Sequence, residues 1–135
     1  MPDEFLDTNV LVYAFSTDAR AAKAQQLLDR GCLINVQILN EFANVARRKL
    51  KMRWTELAEA LDAIRTLCPM IPPVMLDTHS AGLERAQCYG LSVFDGLVVA
   101  AALESECETL WSEDMQHGLV IDSKLRILNP FLEAD

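Results

Sequence analysis

The stretch "FLDTNVLVYAF", residues 5–15, places an aspartate between two apolar runs. A charged group in apolar surroundings lowers stability unless a partner compensates its charge. The segment "EFL" predicts a short strand that ends at Asp7, whereas residues 10–15 fit either a continued strand or a helix. Asp7 is therefore interpreted in one of two ways: it caps the next element, or it faces a cation.

The composition is typical of a globular protein. Of the 135 residues, 51% are hydrophobic and 24% are charged, which predicts a single domain over residues 1–135. Twelve basic against 20 acidic residues give a net charge of −8, which argues against a general surface for polyanions. Nucleic acid stays compatible as a substrate, because a bound metal ion supplies positive charge locally.

The expected location is the cytoplasm. No apolar run approaches the ~20 residues of a membrane span, and the start "MPDEF" lacks the pattern of a secretory signal. Neither the cysteines nor the two isolated histidines have the spacing of zinc ligands. The cysteines are expected to be reduced thiols: Cys32, Cys68, Cys88 and Cys107.

Short strands alternate with helices along the chain. Strands are predicted at 4–6, 32–35 ("CLIN"), 108–112 and 125–128, and helices at 19–30, 36–50, 54–67, 78–89 and 92–107. This alternation predicts an α/β fold with a mostly parallel sheet. Binding sites in such sheets gather beyond the carboxyl ends of the strands, which is where Asp7 lies.

Four acidic residues lie beside apolar segments. Asp7 and Asp114 each follow a predicted strand, and Asp95 lies in the first turn of an apolar helix. Glu41 lies at the edge of the apolar stripe of the helix over 36–50. Together they are candidates for one acidic site.

Each acid also has a purely structural interpretation. Ser92 and Asp95 spell S-x-x-D, a variant of the capping box. Asp7 and Asp114 could each cap a short helix. Glu41 could extend from the edge of the apolar stripe into solvent, or pair with one of the arginines at 47 and 48.

Taken jointly, the four acids favour a cation site. Carboxylates a few ångströms apart cannot all ionise without a cation between them. Oxygen ligands without Cys or His favour Mg²⁺ or Mn²⁺. Since a metal-bound water is a nucleophile near neutral pH, phosphodiester hydrolysis is the natural chemistry.

These residues resemble the PIN-domain family of metal-dependent nucleases. The likeness covers the whole chain, and the size and the order D…E…D…D are similar to those of the VapC-type toxins, small ribonucleases of toxin–antitoxin pairs. Its clearest pieces are "FLDTNVLVYAF", Glu41 in "ILNEFANV", "SVFDGLVVAAAL", "LWSEDMQHG" and "LRILNPF".

The resemblance implies a three-layer sandwich, with a central sheet of four to five short strands flanked by helices. It also implies an Mg²⁺ or Mn²⁺ site and RNA cleavage that leaves a 3′-hydroxyl and a 5′-phosphate. The site residues that it implies are Asp7, Glu41, Asp95 and Asp114 as catalytic metal ligands, with Thr8, Asn9 and Ser112 in support. A homodimer and an antitoxin protein are the implied partners.

One departure from the family concerns a second metal. Some members carry an acid or amide a few residues past the fourth acid, where this chain has Gln116, His117 and Gly118, and the next acid is Asp122. Glu113 beside Asp114 leaves open which carboxylate points inward, and the spacing from the strand favours Asp114.

The segment "RRKLKMR", residues 47–53, holds five of the twelve basic residues. It is interpreted either as a solvated helix end or as an RNA-phosphate contact through Arg47, Arg48 and Lys51. Trp54 is interpreted either as part of a partner surface or as a residue that packs on its own domain.

Two other functions are weighed against a ribonuclease. One is a catalytically inactive PIN-like module that binds RNA or protein. The other is a phosphatase with Asp7 as nucleophile, which is disfavoured because the familiar dehalogenase pattern needs a second Asp where this chain has Asn9.

Overall fold

A short, mostly parallel sheet organises the fold. The computed structural model describes residues 3–132, and the strands in that part are β1 (Glu4–Leu6), β2 (Thr109–Trp111), β3 (Val120–Ile121) and β4 (Leu125–Leu128). The strand order is β1-β2-β4-β3. β2 pairs in parallel with β1 and β4, and only β3 runs antiparallel to its neighbour. The predicted α/β fold with a mostly parallel sheet is therefore confirmed.

Six helices surround the sheet in the described residues: α1 (Thr8–Ala14), α2 (Ala21–Asp29), α3 (Val36–Arg48), α4 (Trp54–Leu67), α5 (Leu76–Tyr89) and α6 (Val93–Glu104). α1 packs against α2 and α3, and α4 packs against the same two helices, whereas α5 and α6 pack mainly together, with α6 against β2. The buried positions of α6 cover nearly its whole circumference, as expected for an almost wholly apolar helix.

Two strand assignments differ from the sequence prediction. The predicted strand at 32–35 is wrong: Leu33 forms one isolated bridge with Phe5, and the chain then turns into α3. The side-chain oxygen of Asn35 accepts a hydrogen bond from Ile38 N at 3.1 Å, so this residue begins a helix instead of extending a strand. β3 was not predicted, because a strand of two residues is too short to show an alternation of apolar and polar side chains. The open choice at 10–15 is decided for a helix, α1.

Asp122 holds the hairpin between β3 and β4 against α5. Its Oδ2 atom accepts hydrogen bonds from Arg85 Nε and Nη2 at 3.0 and 2.7 Å, and its Oδ1 accepts one from the Tyr89 hydroxyl at 3.0 Å. Burial alone would raise the pKa of Asp122, but the hydrogen bonds from Tyr89 and Arg85 and the charge of Arg85 together lower it. The acid that follows Asp114 in the sequence is thus engaged by its own partners.

Two glycines let α5 and α6 approach each other closely. A Cβ atom at Gly96 would overlap the carbonyl oxygen of Gly82 and lie 3.0 Å from Ala86 N. A Cβ atom at Gly82 would lie 2.9 Å from Leu97 Cα. Because the obstacles are backbone atoms, a larger residue at Gly96 requires the two helices to move apart.

No single helix in residues 3–132 has the length and hydropathy to cross a membrane; α5 and α6 pass only as a pair, bent by 115°. The four cysteines are free thiols, and three of them are buried. Burial raises the pKa of Cys32 to about 12, so this thiol is unreactive at neutral pH.

Candidate active site

Asp7 lies at the carboxyl end of β1, beside the end of β2. Leu6 pairs with Trp111 in the parallel ladder, so the residues that follow them, Asp7 and Ser112, become neighbours. Asp7 Oδ1 accepts a hydrogen bond from Thr8 N at 2.8 Å, and Oδ2 accepts one from Ser112 Oγ at 2.8 Å. Asp7 caps α1 and is only 5% exposed. The two interpretations of Asp7 are therefore compatible: one oxygen caps, and the carboxylate still faces the site.

Asn9 connects the first and the fourth acid. Its Nδ2 donates to Asp7 Oδ2 at 3.2 Å and to Asp114 Oδ2 at 3.1 Å, while its Oδ1 accepts from Glu113 N at 3.1 Å. Ser112 Oγ also accepts from Asp114 N at 3.2 Å. The turn after β2 is thereby tied to the first turn of α1, and Asp114 is held next to Asp7.

Glu41 reaches this group through Thr8. Thr8 Oγ1 donates to Glu41 Oε2 at 2.6 Å, and Gln37 Nε2 donates to Glu41 Oε1 at 3.3 Å. The ion pairs formed within residues 3–132 do not include the proposed pairing of Glu41 with an arginine. Its carboxylate is thus left without a cationic partner in this part of the chain.

Asp95 lies in the first turn of α6, beside the cap that Ser92 provides. Its backbone N–H donates to Ser92 Oγ at 3.1 Å, the cap at the start of α6. Partial burial raises the pKa of Asp95, and the charges of Asp114 and Glu41 raise it further. A capping position in the first turn therefore coexists with proximity to the other acids.

The cluster formed by Asp7, Glu41, Asp95 and Asp114, hereafter the acidic cluster, concentrates negative charge. Burial is the main cause that raises the pKa of Asp7 to about 6; the charges of Asp95 and Asp114 add to it, while the Ser112 and Thr8 hydrogen bonds oppose it. None of the ion pairs described for residues 3–132 involves a member of the cluster. A bound cation would relieve this repulsion.

The donor chemistry of the acidic cluster fits Mg²⁺ or Mn²⁺, since both prefer carboxylate oxygen. The distances between these side chains do not fit a bound metal ion, because the described Asp, Glu, His and Cys side chains form no group of three placed to hold one. Asp7 is fixed by its hydrogen bonds, whereas Asp114 is exposed and Glu41 and Asp95 are partly exposed. Glu41, Asp95 and Asp114 are thus the members whose side chains are free to change position without disturbing the core.

Glu113 is turned away from the acidic cluster. Its Oε1 accepts from the Tyr13 hydroxyl at 2.6 Å, and its Oε2 pairs with Arg20 Nε at 3.0 Å. Arg20 also stacks over the Tyr13 ring, 4.9 Å from its centroid. Of the two adjacent acids, Asp114 is thus the one directed to the site. Tyr13 and Arg20 were missed by sequence reasoning, because nothing in the sequence links them to a loop 100 residues away.

The basic segment lies farther along α3. The Arg47 guanidinium stacks on Trp54 at 4.2 Å from the ring centroid and donates to Met52 O at 2.7 Å, which ties α3 to the start of α4. Trp54 is nevertheless 70% exposed. Arg48 and Lys51 are exposed. Arg48 follows Glu41 by two helical turns, roughly 10 Å along the axis on about the same face.

Replacing Ser112 with alanine is expected to raise the pKa of Asp7 above its present value of about 6. The change removes the 2.8 Å hydrogen bond that stabilises the ionised carboxylate. An NMR titration of the Asp7 carboxyl carbon measures the pKa directly, and Ser80→Ala on exposed α5 surface is the matched control. An unchanged pKa in Ser112→Ala would show that this hydroxyl does not stabilise the charge.

Comparison with known proteins agrees with the fold. Residues 5–118 match the family model described as PIN domain. A toxin–antitoxin complex from Klebsiella pneumoniae is similar in structure, with a TM-score of 0.72, 19% identity, and coverage of 95% of this chain and 98% of that chain. No curated protein matches significantly.

Two other solved structures have the same fold. VapC20 of Mycobacterium tuberculosis, described as a sarcin–ricin loop cleaving toxin, has a TM-score of 0.62 and 16% identity over 79% of this chain and 86% of that chain. VapBC2 of Rickettsia felis, bound to a promoter DNA fragment, has a TM-score of 0.65 and 19% identity over 93% and 97%. With the family model matching most of its length, the chain belongs to the PIN domain family.

Proposed function

We propose that this protein is an Mg²⁺- or Mn²⁺-dependent endoribonuclease and the toxin of a type II toxin–antitoxin pair. The observation that carries the proposal is the acidic cluster: four carboxylates from four separate segments converge, and no described ion pair neutralises them. The similar structures from Klebsiella and Rickettsia are toxin–antitoxin assemblies, and the one from Mycobacterium is described as a sarcin–ricin loop cleaving toxin.

The roles of the residues follow from their contacts. Asp7, Glu41, Asp95 and Asp114 would hold the metal ion, which when bound supplies an activated water and neutralises charge at the phosphate. Ser112 and Thr8 N fix the Asp7 carboxylate, and Asn9 aligns Asp114 with it. Asp7 is ionised at pH 7 and above, because its pKa is about 6. The expected products carry a 3′-hydroxyl and a 5′-phosphate.

The proposed partners are RNA, an antitoxin protein and a second copy of this chain. The assemblies among the similar structures support an antitoxin. An antitoxin that blocks the site would need positive charge, since the acidic cluster is without a basic partner among the described ion pairs.

RNA cleavage in the presence and absence of metal tests the proposal. Purified protein should cleave RNA with Mg²⁺ or Mn²⁺ and stop with EDTA, and Asp114→Asn should lose activity while Asp62→Asn, on exposed α4, should keep it. Equal cleavage by the wild type and Asp114→Asn would indicate a contaminating nuclease and remove the support.

An inactive RNA- or protein-binding module is the second candidate. It is favoured by one observation, that no three of the described acids are placed to hold a metal. Thermal unfolding with Mn²⁺ separates the two functions, because a metal that binds the native state raises the melting temperature. A melting temperature that millimolar Mn²⁺ leaves unchanged would favour the inactive module.

Arg48 and Lys51 are proposed to contact RNA phosphates. Arg47 is proposed to contact them as well, although its guanidinium also stacks on Trp54. We expect Arg48→Ala to weaken RNA binding and to flatten the plot of log affinity against log salt by about 0.7, the value for one phosphate of a single strand. Binding is measured in Asp7→Asn protein to prevent cleavage, with the exposed Arg65 on α4 as the matched Arg→Ala control. An unchanged slope would remove Arg48 from the RNA path.

A further inference from the structure

A cavity of about 260 Å³ adjoins the acidic cluster, between α3, α5 and the start of α6. Glu41 belongs to both, and Phe94, which lines the cavity, directly precedes Asp95. The ring of Phe94 is 60% exposed although it is a large apolar group. The cavity and the acidic cluster therefore form one continuous surface.

The walls of this cavity combine an apolar interior with polar edges. Ile38, Leu97 and Val98 provide the apolar part, and Asn35, Gln37 and His79 the polar part. Asn35 uses its side-chain oxygen to cap α3, and its side-chain nitrogen has no hydrogen-bond partner among the bonds described for residues 3–132. Donors and acceptors are thus available around an apolar space.

We propose that this cavity binds one nucleobase of the RNA, next to the phosphate that is cleaved. The inference rests on the proposed ribonuclease function and adds a position at which the enzyme reads or grips its substrate. A base has two apolar faces and a polar edge, which matches an aromatic ring and apolar wall bordered by amides and an imidazole.

The charge of the cavity favours a base over the other parts of a nucleotide. Glu41 contributes negative charge and no Lys or Arg is among the lining residues, so a phosphate would be repelled. The base is the part of a nucleotide that carries no charge, so Glu41 would not repel it. The cavity volume of about 260 Å³ is enough for one base, with sugar and phosphates left on the side of the acidic cluster. Phe94 then supplies a stacking face whose exposure no core contact explains.

Abasic scanning of a single-stranded oligoribonucleotide tests this inference. The full-length protein is given oligomers that contain a mapped cleavage site and a single abasic residue, moved one position at a time. At one position next to the cleaved bond, loss of the base should raise KM about tenfold with little change in kcat, since stacking contributes to binding. Phe94→Ala should raise KM about as much on the intact oligomer.

The combination of the two changes is decisive. In Phe94→Ala, removing that same base should have no further effect, whereas Phe94→Tyr should restore stacking and the position-specific effect. Val93→Ala, an exposed neighbour that does not line the cavity, is the matched control. Because Phe94 is largely exposed, its replacement does not open the core.

Two results would overturn the inference and are distinguishable from each other. The cavity does not hold a base if wild-type protein cleaves RNA but no abasic position changes KM. The same conclusion follows if the effects of the abasic position and of Phe94→Ala on KM add fully. The cavity would then be a candidate site for a protein partner. If wild-type protein cleaves no RNA with Mg²⁺ or Mn²⁺, the proposed function fails, and this inference fails with it.

Discussion

Asp7→Asn is expected to lower metal-dependent RNA cleavage about a thousandfold or more and, in metal-free buffer above pH 6, to make the protein more stable. The loss of activity follows because a bound metal contributes several kcal/mol to the transition state, and tenfold in rate corresponds to about 1.4 kcal/mol. The gain in stability follows because Asn carries no charge to be buried.

The direction of the expected change in stability follows from the pH at which Asp7 ionises in the folded and in the unfolded protein. Asp7 has a pKa of about 6 in the folded protein against its ordinary value of 3.8, so the folded state binds the proton more tightly. The contribution of Asp7 to wild-type stability is therefore fully present below pH 3.8, falls as the pH rises to about 6, and is lost above it. The buried charge of Asp7 lowers the free energy of unfolding of the wild type by about 3 kcal/mol at pH 8. Asp7→Asn also loses the hydrogen bond from Asn9, which reduces its gain in stability by about 1 kcal/mol.

Chemical denaturation in EDTA at pH 4 and pH 8 measures this effect, with Asp62→Asn as the control. The stabilisation by Asp7→Asn should be seen at pH 8 and shrink at pH 4, and added Mn²⁺ should stabilise the wild type and Asp62→Asn but not Asp7→Asn. Lower stability of Asp7→Asn at pH 8 would mean that the ionised carboxylate carries no net burial penalty. Full activity in this variant would exclude Asp7 as a metal ligand.

Gly96→Ala is expected to destabilise the protein by about 3 kcal/mol and to lower its melting temperature by about 10 °C. Alanine has the higher helix propensity by about 1 kcal/mol, so the expected sign is opposite to the local preference. The cause is the close contact between α5 and α6, where the new Cβ would overlap Gly82 O. Cleavage should also fall, because displacing α6 displaces Asp95.

Gly90→Ala serves as a comparison, because it strains the backbone without causing the steric overlap that is expected in Gly96→Ala. Gly90 has a φ of 66° but no atom within 4 Å of an added Cβ, so only the left-handed conformation is penalised, by about 1 kcal/mol. Thermal unfolding of both variants makes the comparison. A Gly96→Ala protein no less stable than Gly90→Ala would show that the two helices separate without cost.

The sequence predicts most of the fold because its longer elements have clear periods. The helix predicted at 54–67 has those bounds in the structure, and the one predicted at 36–50 ends two residues earlier. Short elements were the source of error. Leu33 lies in an apolar run that resembles a strand, yet it has room for one bridge before α3 begins. β3 depends on a hairpin whose residues Asp122 and Ser123 have positive φ, which no periodicity reveals.

From the residues alone, the candidate site could be predicted only in its charged members, and the supporting Thr8, Asn9 and Ser112 came from the resemblance to the PIN-domain family. Asp7 and Asp114 follow strands, and parallel pairing brings strand ends together, so their proximity follows from topology. The contacts of Asn9 with Asp114, and of Tyr13 with Glu113, depend on side-chain directions that topology does not set. The roles of these residues in catalysis stay predictions until the variants are measured.

The pairing of β1 with β2 has a consequence for synthesis of the protein. Asp7 is made near the start of the chain, while its hydrogen-bond donor Ser112 comes 105 residues later. A nascent polypeptide still short of residue 114 has neither β2 nor the last carboxylate, however well its helices have formed. Under the proposed function such an unfinished chain lacks a metal ligand, so RNA cleavage is expected only after residue 114 has been made.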